Sequence, residues 1–229
     1  MQTAAQQFVA QESRLDLLMC NAGVMILPPS LSKDGYEIQF AINHLSHALF
    51  AKLLLPTMLK TAAETPNADV RIISLSSTAH SAAPSAGIEF ENLSTDQSSC
   101  GPFFVPSKFA RYGQSKLANL VYPMALAKHY PSITSVAVHP GFVRTALHDS
   151  EGMFDKILVN TARKGEWLKP EQGAHTQLWA ATTAKKGLVN GAYYEPIGVK
   201  VVPGLESARD GVLAERLWEW TEKALARFA

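Results

Sequence analysis

A tyrosine and a lysine stand four residues apart in the stretch "RYGQSKLANLVYPMALAKHY", which begins at Arg111. On a helix, residues i and i+4 share a face, which places the Lys116 ammonium beside the Tyr112 phenol. A neighbouring cation favours phenolate and lowers a pKa that starts near ~10. Such a tyrosine can give or take a proton near neutrality, and a carbonyl or alcohol oxygen is a fitting partner. The spacing is a weak signal by itself, because a chain with six tyrosines often places a lysine four residues after one of them by chance.

Other short motifs keep this pair company. Asn21-Ala22-Gly23 closes the run "LDLLMC", Ser76-Ser77 closes "VRIISL", and Pro140-Gly141 closes "SITSVAVH". Each run reads as a buried strand, and each motif singly is an ordinary strand-ending turn. In a parallel sheet, ligands bind outside the carboxyl ends of the strands, where these turns and the head of the Tyr112 helix converge. His44 and His47 lie three apart on one helix without a third ligand at metal-site spacing, which leaves no metal centre to expect. His80 reads as a surface-loop histidine at the edge of the pocket. No G-x-S-x-G elbow surrounds Ser76 or Ser77, which sets an acyl-transfer hydrolase aside.

The elements that must position these residues alternate. Residues 1–12 read as the tail of a polar-faced helix, 15–20 as a strand, 33–60 as a helix and 70–77 as a strand. Residues 78–111, rich in Ser, Pro and Gly, read as a long excursion with one short element near 88–93. A helix follows over 112–130, a strand over 132–139 and a helix over 170–183. The segment "GAYYEP" reads as a last short strand and 208–228 as a closing amphipathic helix. Strands separated by helices imply an α/β fold with a doubly wound parallel sheet. Trp167, Trp179, Trp218 and Trp220 read as core or interface aromatics.

The bulk properties bound the function. A chain of 229 residues, 47% hydrophobic and 18% charged, has the size and composition of one domain spanning 1–229. A net charge of +1 leaves no electrostatic footprint for nucleic acid. Two cysteines, Cys20 and Cys100, make no disulfide framework and fit a reducing compartment. The apolar runs are too short to span a membrane and the first residues carry no signal pattern, so a cytoplasmic protein acting on small molecules is the expectation.

Taken in order, "NAGVM", "FAINHLSHALF", "RIISLSSTAH", "YGQSKLANL" and "VAVHPGFVRT" resemble the short-chain dehydrogenase/reductases, in particular their retinol-dehydrogenase-like and fungal members. The resemblance runs from about Leu15 to Thr145, and "GAYYEPIGVKV" and "LAERLWEWTEKAL" extend it more softly. It implies a Rossmann-type fold and an NADP-preferring oxidoreductase, with NAD also admitted, that interconverts a ketone or aldehyde and an alcohol. It assigns Tyr112 as general acid/base, Lys116 as the group that lowers its pKa and holds the nicotinamide ribose, and Ser77 as the hydroxyl that orients the substrate carbonyl. Asn43 matches the asparagine that binds a water linking Lys116 to solvent. Asn21 matches the turn beside the adenosine, and Val143 and Thr145 match the segment against the carboxamide and phosphates. The substrate walls are expected from residues 78–111 and 147–167, where "FDKILVN" suits a lipophilic molecule. A role in a biosynthetic or tailoring pathway goes with that resemblance.

The chain also departs from the family. No TGxxxGxG turn occurs, so the family's first strand, its diphosphate-binding turn and the residue that selects NAD from NADP have no counterpart. The missing portion amounts to on the order of 80 residues. The expectation is an incomplete domain with an open parallel edge at its first strand. A homodimer, built in the family on the helices of Asn43 and Tyr112, or an edge-covering partner would complete it. A catalytically impaired chain that acts by binding is the alternative reading.

Overall fold

The computed structural model describes residues 1–144, 167–209 and 211–228. Five strands form one sheet in the order β1 (Leu17–Cys20), β2 (Arg71–Leu75), β3 (Thr134–Val138), β4 (Tyr193–Glu195) and β5 (Val199–Val201). The first four run parallel, with Leu17 opposite Arg71 and Arg71 opposite Thr134, and β5 returns antiparallel to β4. Every residue of β2 and β3 is buried, as befits strands covered on both faces. The doubly wound α/β architecture matches the expectation. β5 was not anticipated, because three residues carry too little alternation to separate a strand from the tail of a turn.

Helices α1 (Gln2–Gln11), α2 (Ile38–Phe40), α3 (Ser46–Glu64) and α4 (Ser107–His129) precede β3. After it come α5 (Pro170–Gly173), α6 (His175–Thr182) and α7 (Gly211–Leu225). One apolar layer packs α1, α3, α4 and α7 against Leu18, Ile72, Ala137 and Tyr193. On the other face, α6 packs Trp179 and Ala180 against Ile73, Val136, Val138 and Tyr194. Trp218 and Trp220 join the first layer, in line with their reading as core aromatics.

Three element boundaries differ from the expectation, each for a local reason. The helix expected from residue 33 begins at Ile38, because Gly35 takes φ +82° in a turn and the Glu37 carboxylate caps the helix by accepting the Phe40 N–H at 2.7 Å. The helix expected from residue 112 begins at Ser107, directly after Pro106. A proline ends what precedes it but does not prevent a helix from starting at the next residue, so Tyr112 lies in the second turn rather than at the head. The expected helix 170–183 is divided at Ala174 into α5 and α6.

The excursion 78–106 is packed rather than loose. Its 3-10 turn Thr78–Ala82 lies on α4, its turn Phe90–Asn92 falls within the expected short element, and Ile88, Phe90 and Leu93 enter the core. Gln114 of α4 holds it, accepting the Glu89 N–H at 2.7 Å and donating to the Gln97 Oε1 at 2.8 Å. At the other end of the sheet, the outer edge of β1 pairs with no strand among the described residues.

Candidate active site

Tyr112, Ser115, Lys116 and Asn119 occupy positions i, i+3, i+4 and i+7 of α4 and so share one face. That polar stripe in an otherwise buried helix lies against the carboxyl end of β2. The Lys116 ammonium is buried and donates to the Leu75 carbonyl at 3.1 Å, and the Asn119 amide donates to the same oxygen at 3.0 Å. The Ser76 hydroxyl returns the contact by donating to the Lys116 carbonyl at 2.7 Å. Burial pulls the Lys116 ammonium down to about 8, so the lysine exchanges its proton near physiological pH. Its Nζ stands 5.8 Å from the centre of the Tyr112 ring.

Asn43 closes the site from the opposite helix. It sits in a π turn, Ala41–Leu45, between α2 and α3, and is fully buried. Its Oδ1 accepts the Val24 N–H at 2.8 Å, and its amide donates to the Val24 carbonyl at 2.9 Å and to the Ser115 hydroxyl at 2.9 Å. One side chain thereby joins the turn after β1 to the catalytic face of α4. Gly23 lies close by: a Cβ on it would stand 3.1 Å from Asn43 Oδ1, a tight approach, and 3.6 Å from Lys116 Nζ, an ordinary contact.

Ser77 follows β2 as the cap of the 3-10 turn, its hydroxyl accepting the Ala79 N–H at 3.2 Å. That turn reaches α4 at Gly113, where a Cβ would stand 2.7 Å from the Ala79 carbonyl oxygen and the Ala83 nitrogen. Only a backbone without a side chain admits this approach, which brings the turn that Ser77 caps against α4 at the residue after Tyr112. His80, expected on the surface, is instead buried. It is drawn in because its Nδ1 bonds the Ser77 carbonyl at 2.7 Å and its ring meets Tyr193 edge-on.

The expected residues around this centre are placed as follows. Asn21 is exposed at the end of β1. Val143 forms a parallel bridge with Leu168, held by the Leu168 N–H on Phe142 and the Arg144 N–H on Leu168. Thr145 and residues 147–166 lie outside the described residues. The structure therefore brings Asn43, Ser77, Tyr112 and Lys116 to one centre, with Asn21 at the neighbouring strand end. Gly23 stands beside Asn43 Oδ1 and Lys116 Nζ, and Lys116 is the residue here that could hold the ribose of a dinucleotide.

Sequence reasoning did not single out Ser115, Asn119, Glu37 or Arg111. The i+3 and i+7 spacing from Tyr112 was a usable signal for the first two. No sequence pattern marked the other two, which meet across 74 residues.

A largely parallel α/β sheet with the Tyr112–Lys116 helix packed against the carboxyl end of β2 is a Rossmann-like arrangement. No protein-family model matches the chain. An uncharacterised oxidoreductase of Schizosaccharomyces pombe is 42% identical over 225 residues, covering 96% of this chain and 64% of that protein. The short-chain dehydrogenase/reductase drtF of Aspergillus calidoustus is 35% identical over 238 residues, covering 98% of this chain and 72% of that one. The chain belongs to the short-chain dehydrogenase/reductase family. It spans about two thirds of the length of these relatives. Among solved structures, an uncharacterised protein from Mycobacterium paratuberculosis superposes with a TM-score of 0.67 at 26% identity, over 98% of this chain and 72% of that one. A 3-ketoacyl-(acyl-carrier-protein) reductase of Brucella melitensis, complexed with NADH, shares the fold with a TM-score of 0.59 at 18% identity, over 86% of this chain and 72% of that one.

Proposed function

We propose that this protein is an NAD(P)-dependent oxidoreductase interconverting a ketone or aldehyde and an alcohol, on a lipophilic small molecule of a biosynthetic or tailoring pathway. The observation that carries the reading is the buried Lys116 ammonium, one helical turn from Tyr112 and tied to the end of β2. NADP is the favoured cofactor by family resemblance and NAD remains admissible; bound, it would supply the hydride. The chain's own part is the proton and the geometry. Ser77 orients the substrate oxygen, Tyr112 protonates it, and Lys116 favours the phenolate and returns the proton to it. Asn21, Val143 and Thr145 are assigned to cofactor contacts on the same resemblance.

Tyr112→Phe removes the acid while preserving the ring, so it should abolish reduction of an aldehyde panel without changing the circular dichroism spectrum. Equal turnover by the variant and the parent would end the mechanism. Titration of nicotinamide fluorescence with NADPH and then NADH separates this reading from the alternative of an impaired, partner-complemented chain: micromolar binding supports the enzyme, and a folded chain without binding supports the alternative.

The cytoplasm is the working compartment, resting on two cysteines that are both free. No helix among the described residues is long and apolar enough to cross a membrane. A homodimer through the Asn43 and Tyr112 helices stays part of the reading by resemblance, and α7 packs on one side of those helices. Its Thr221 hydroxyl bonds His44 Nε2 at 3.0 Å, its Glu222 accepts from Lys52 at 2.7 Å, and its Trp218 stacks on Tyr122. The edge of β1 is the surface assigned to a completing partner.

A further inference from the structure

The turn after β2 is held from within by one of its own side chains. His80 lies in the 3-10 turn Thr78–Ala82 that Ser77 caps, and it is buried while Ser77 is half-buried. Its Nδ1 stands 2.7 Å from the Ser77 carbonyl oxygen, which also accepts the His80 backbone N–H at 3.0 Å. A carbonyl oxygen has two lone pairs and only accepts, so both bonds form together and Nδ1 carries the ring hydrogen. Burial lowers the proton affinity of the ring, which keeps it neutral at physiological pH in that tautomer.

The ring is braced against turning away from this carbonyl. Tyr193 of β4 meets it edge-on, with the ring centres 5.7 Å apart at 84°. Tyr193 is itself buried and pairs with Ala137 of β3 and Val201 of β5. The Ala83 N–H closes the turn on the His80 carbonyl at 3.1 Å, and at Gly113 α4 abuts the same turn with no room for a side chain between them. His80 therefore couples Ser77 to the sheet at β4.

This bond acts on the part of Ser77 that directs its hydroxyl. A planar peptide leaves φ and ψ as the soft dihedrals of a residue. Holding the carbonyl sets ψ, 152° here with φ −161°, and with it the path of the chain to Ala79. The Ala79 N–H in turn donates to the Ser77 Oγ at 3.2 Å, which leaves the hydroxyl its own hydrogen to donate to a substrate oxygen. Without the Nδ1 donor the Ser77 carbonyl keeps only the bond of the 3-10 turn, whose geometry is poorer, so the turn persists but loosens.

We propose that His80 is a positioning residue for Ser77, its Nδ1–H holding the Ser77 carbonyl so that the hydroxyl is aimed at the substrate oxygen. This rests on the reading of Ser77 given above. His80 acts through Ser77 and exchanges no proton in the reaction.

The test has one arm that needs no turnover. In the whole protein, the ring nitrogen resonances of His80, assigned by their loss in His80→Asn, should show hydrogen on Nδ1. The Ser77 carbonyl carbon, assigned by its loss in Ser77→Ala, should shift in His80→Leu, which keeps bulk without a donor. It should stay near the parent position in His80→Asn, whose amide N–H stands in for Nδ1–H. Hydrogen on Nε2, or an unmoved carbonyl resonance in His80→Leu, would overturn the proposal. In the second arm, kcat for aldehyde reduction should fall about tenfold in His80→Leu with KM for the cofactor unchanged, and His80→Asn should recover most of it. In a Ser77→Ala background the same His80→Leu change should cost no further activity. An equal loss in both backgrounds would mean a general structural role and would also overturn the positioning. Failure of the oxidoreductase reading shows differently, as a parent that reduces nothing or a Tyr112→Phe variant that turns over unimpaired. The resonances alone then decide the hold of His80 on Ser77.

Discussion

Arg111, the residue before Tyr112, is withdrawn from solvent entirely together with Glu37, at 0% exposure for both side chains. Arg111 donates to Glu37 Oε1 at 2.8 Å and to the Leu27 carbonyl at 2.8 Å, while Glu37 Oε2 caps the helix at Phe40 and the buried Arg111 Nε has no hydrogen-bond partner. Three segments, the loop after β1, the start of α2 and the second turn of α4, therefore meet at one guanidinium. A buried pair contributes little net stability when intact, but removing one partner strands the other charge and costs about 3–5 kcal/mol. Arg111→Met should lower the unfolding free energy by that amount in a denaturant titration, and Glu37→Met/Arg111→Met should recover part of it. A single variant within about 1 kcal/mol of the parent would show that the pair is not what fixes the loop. Neither residue was legible as a pair, because a contact across 74 positions leaves no local periodicity to read.

At the scale of elements, the catalytic arrangement depends on how closely α4 lies against the turn that Ser77 caps. Gly113 is the contact, with backbone atoms of Ala79, Ala82 and Ala83 inside 3 Å of an added Cβ. Backbone cannot yield as a flexible side chain does, so Gly113→Val must displace the turn or the helix. Activity should fall by at least 10²-fold, since a displacement of about 1 Å is costly for a positioned proton donor, and the unfolding free energy should fall by about 1–3 kcal/mol. Full activity in this variant would mean that Ser77 is not positioned through the turn.

The helix itself was readable from the spacing of its apolar residues, and β2 and β3 from their compact runs. The elements misjudged were those whose limits depend on distant partners. The start of α2 depends on a Glu37 that must first be buried, and the excursion packs because Gln114 and the core receive it. Of the candidate residues, Tyr112 and Lys116 were legible by their offset within one helix, while Ser77 and Asn43 were singled out only through the resemblance to the family. Ser115 and Asn119 were equally local and would have been found by following the polar stripe past Lys116.

For the molecule as a whole, the same burial that arranges the site makes folding sensitive to acid. His44 and His139 are almost fully enclosed, at 2% and 4% exposure. Burial is the first cause of their lowered proton affinity, to about 3 and about 4. His47 and His80 are shifted in the same direction, again chiefly by burial. An unfolded histidine binds its proton near ~6.5, so as pH falls through that value the unfolded chain takes up protons the native one refuses. Stability is therefore lost on acidification, by about 1.4 kcal/mol per pH unit for each enclosed histidine until its native pKa is reached. At pH 5 that is about 2 kcal/mol each for His44 and His139, a large part of a typical 5–15 kcal/mol. Lys116 acts in a different window: its native pKa near 8 lies below the unfolded value of 10.5, so its burial is most costly below pH 8 and that cost fades between there and 10.5. The denaturant midpoint should accordingly fall steeply between pH 7 and 5, and His139→Asn should flatten the slope by about one proton. A midpoint that stays level over this range would mean that the histidine-lined interior opens to water before the fold is lost.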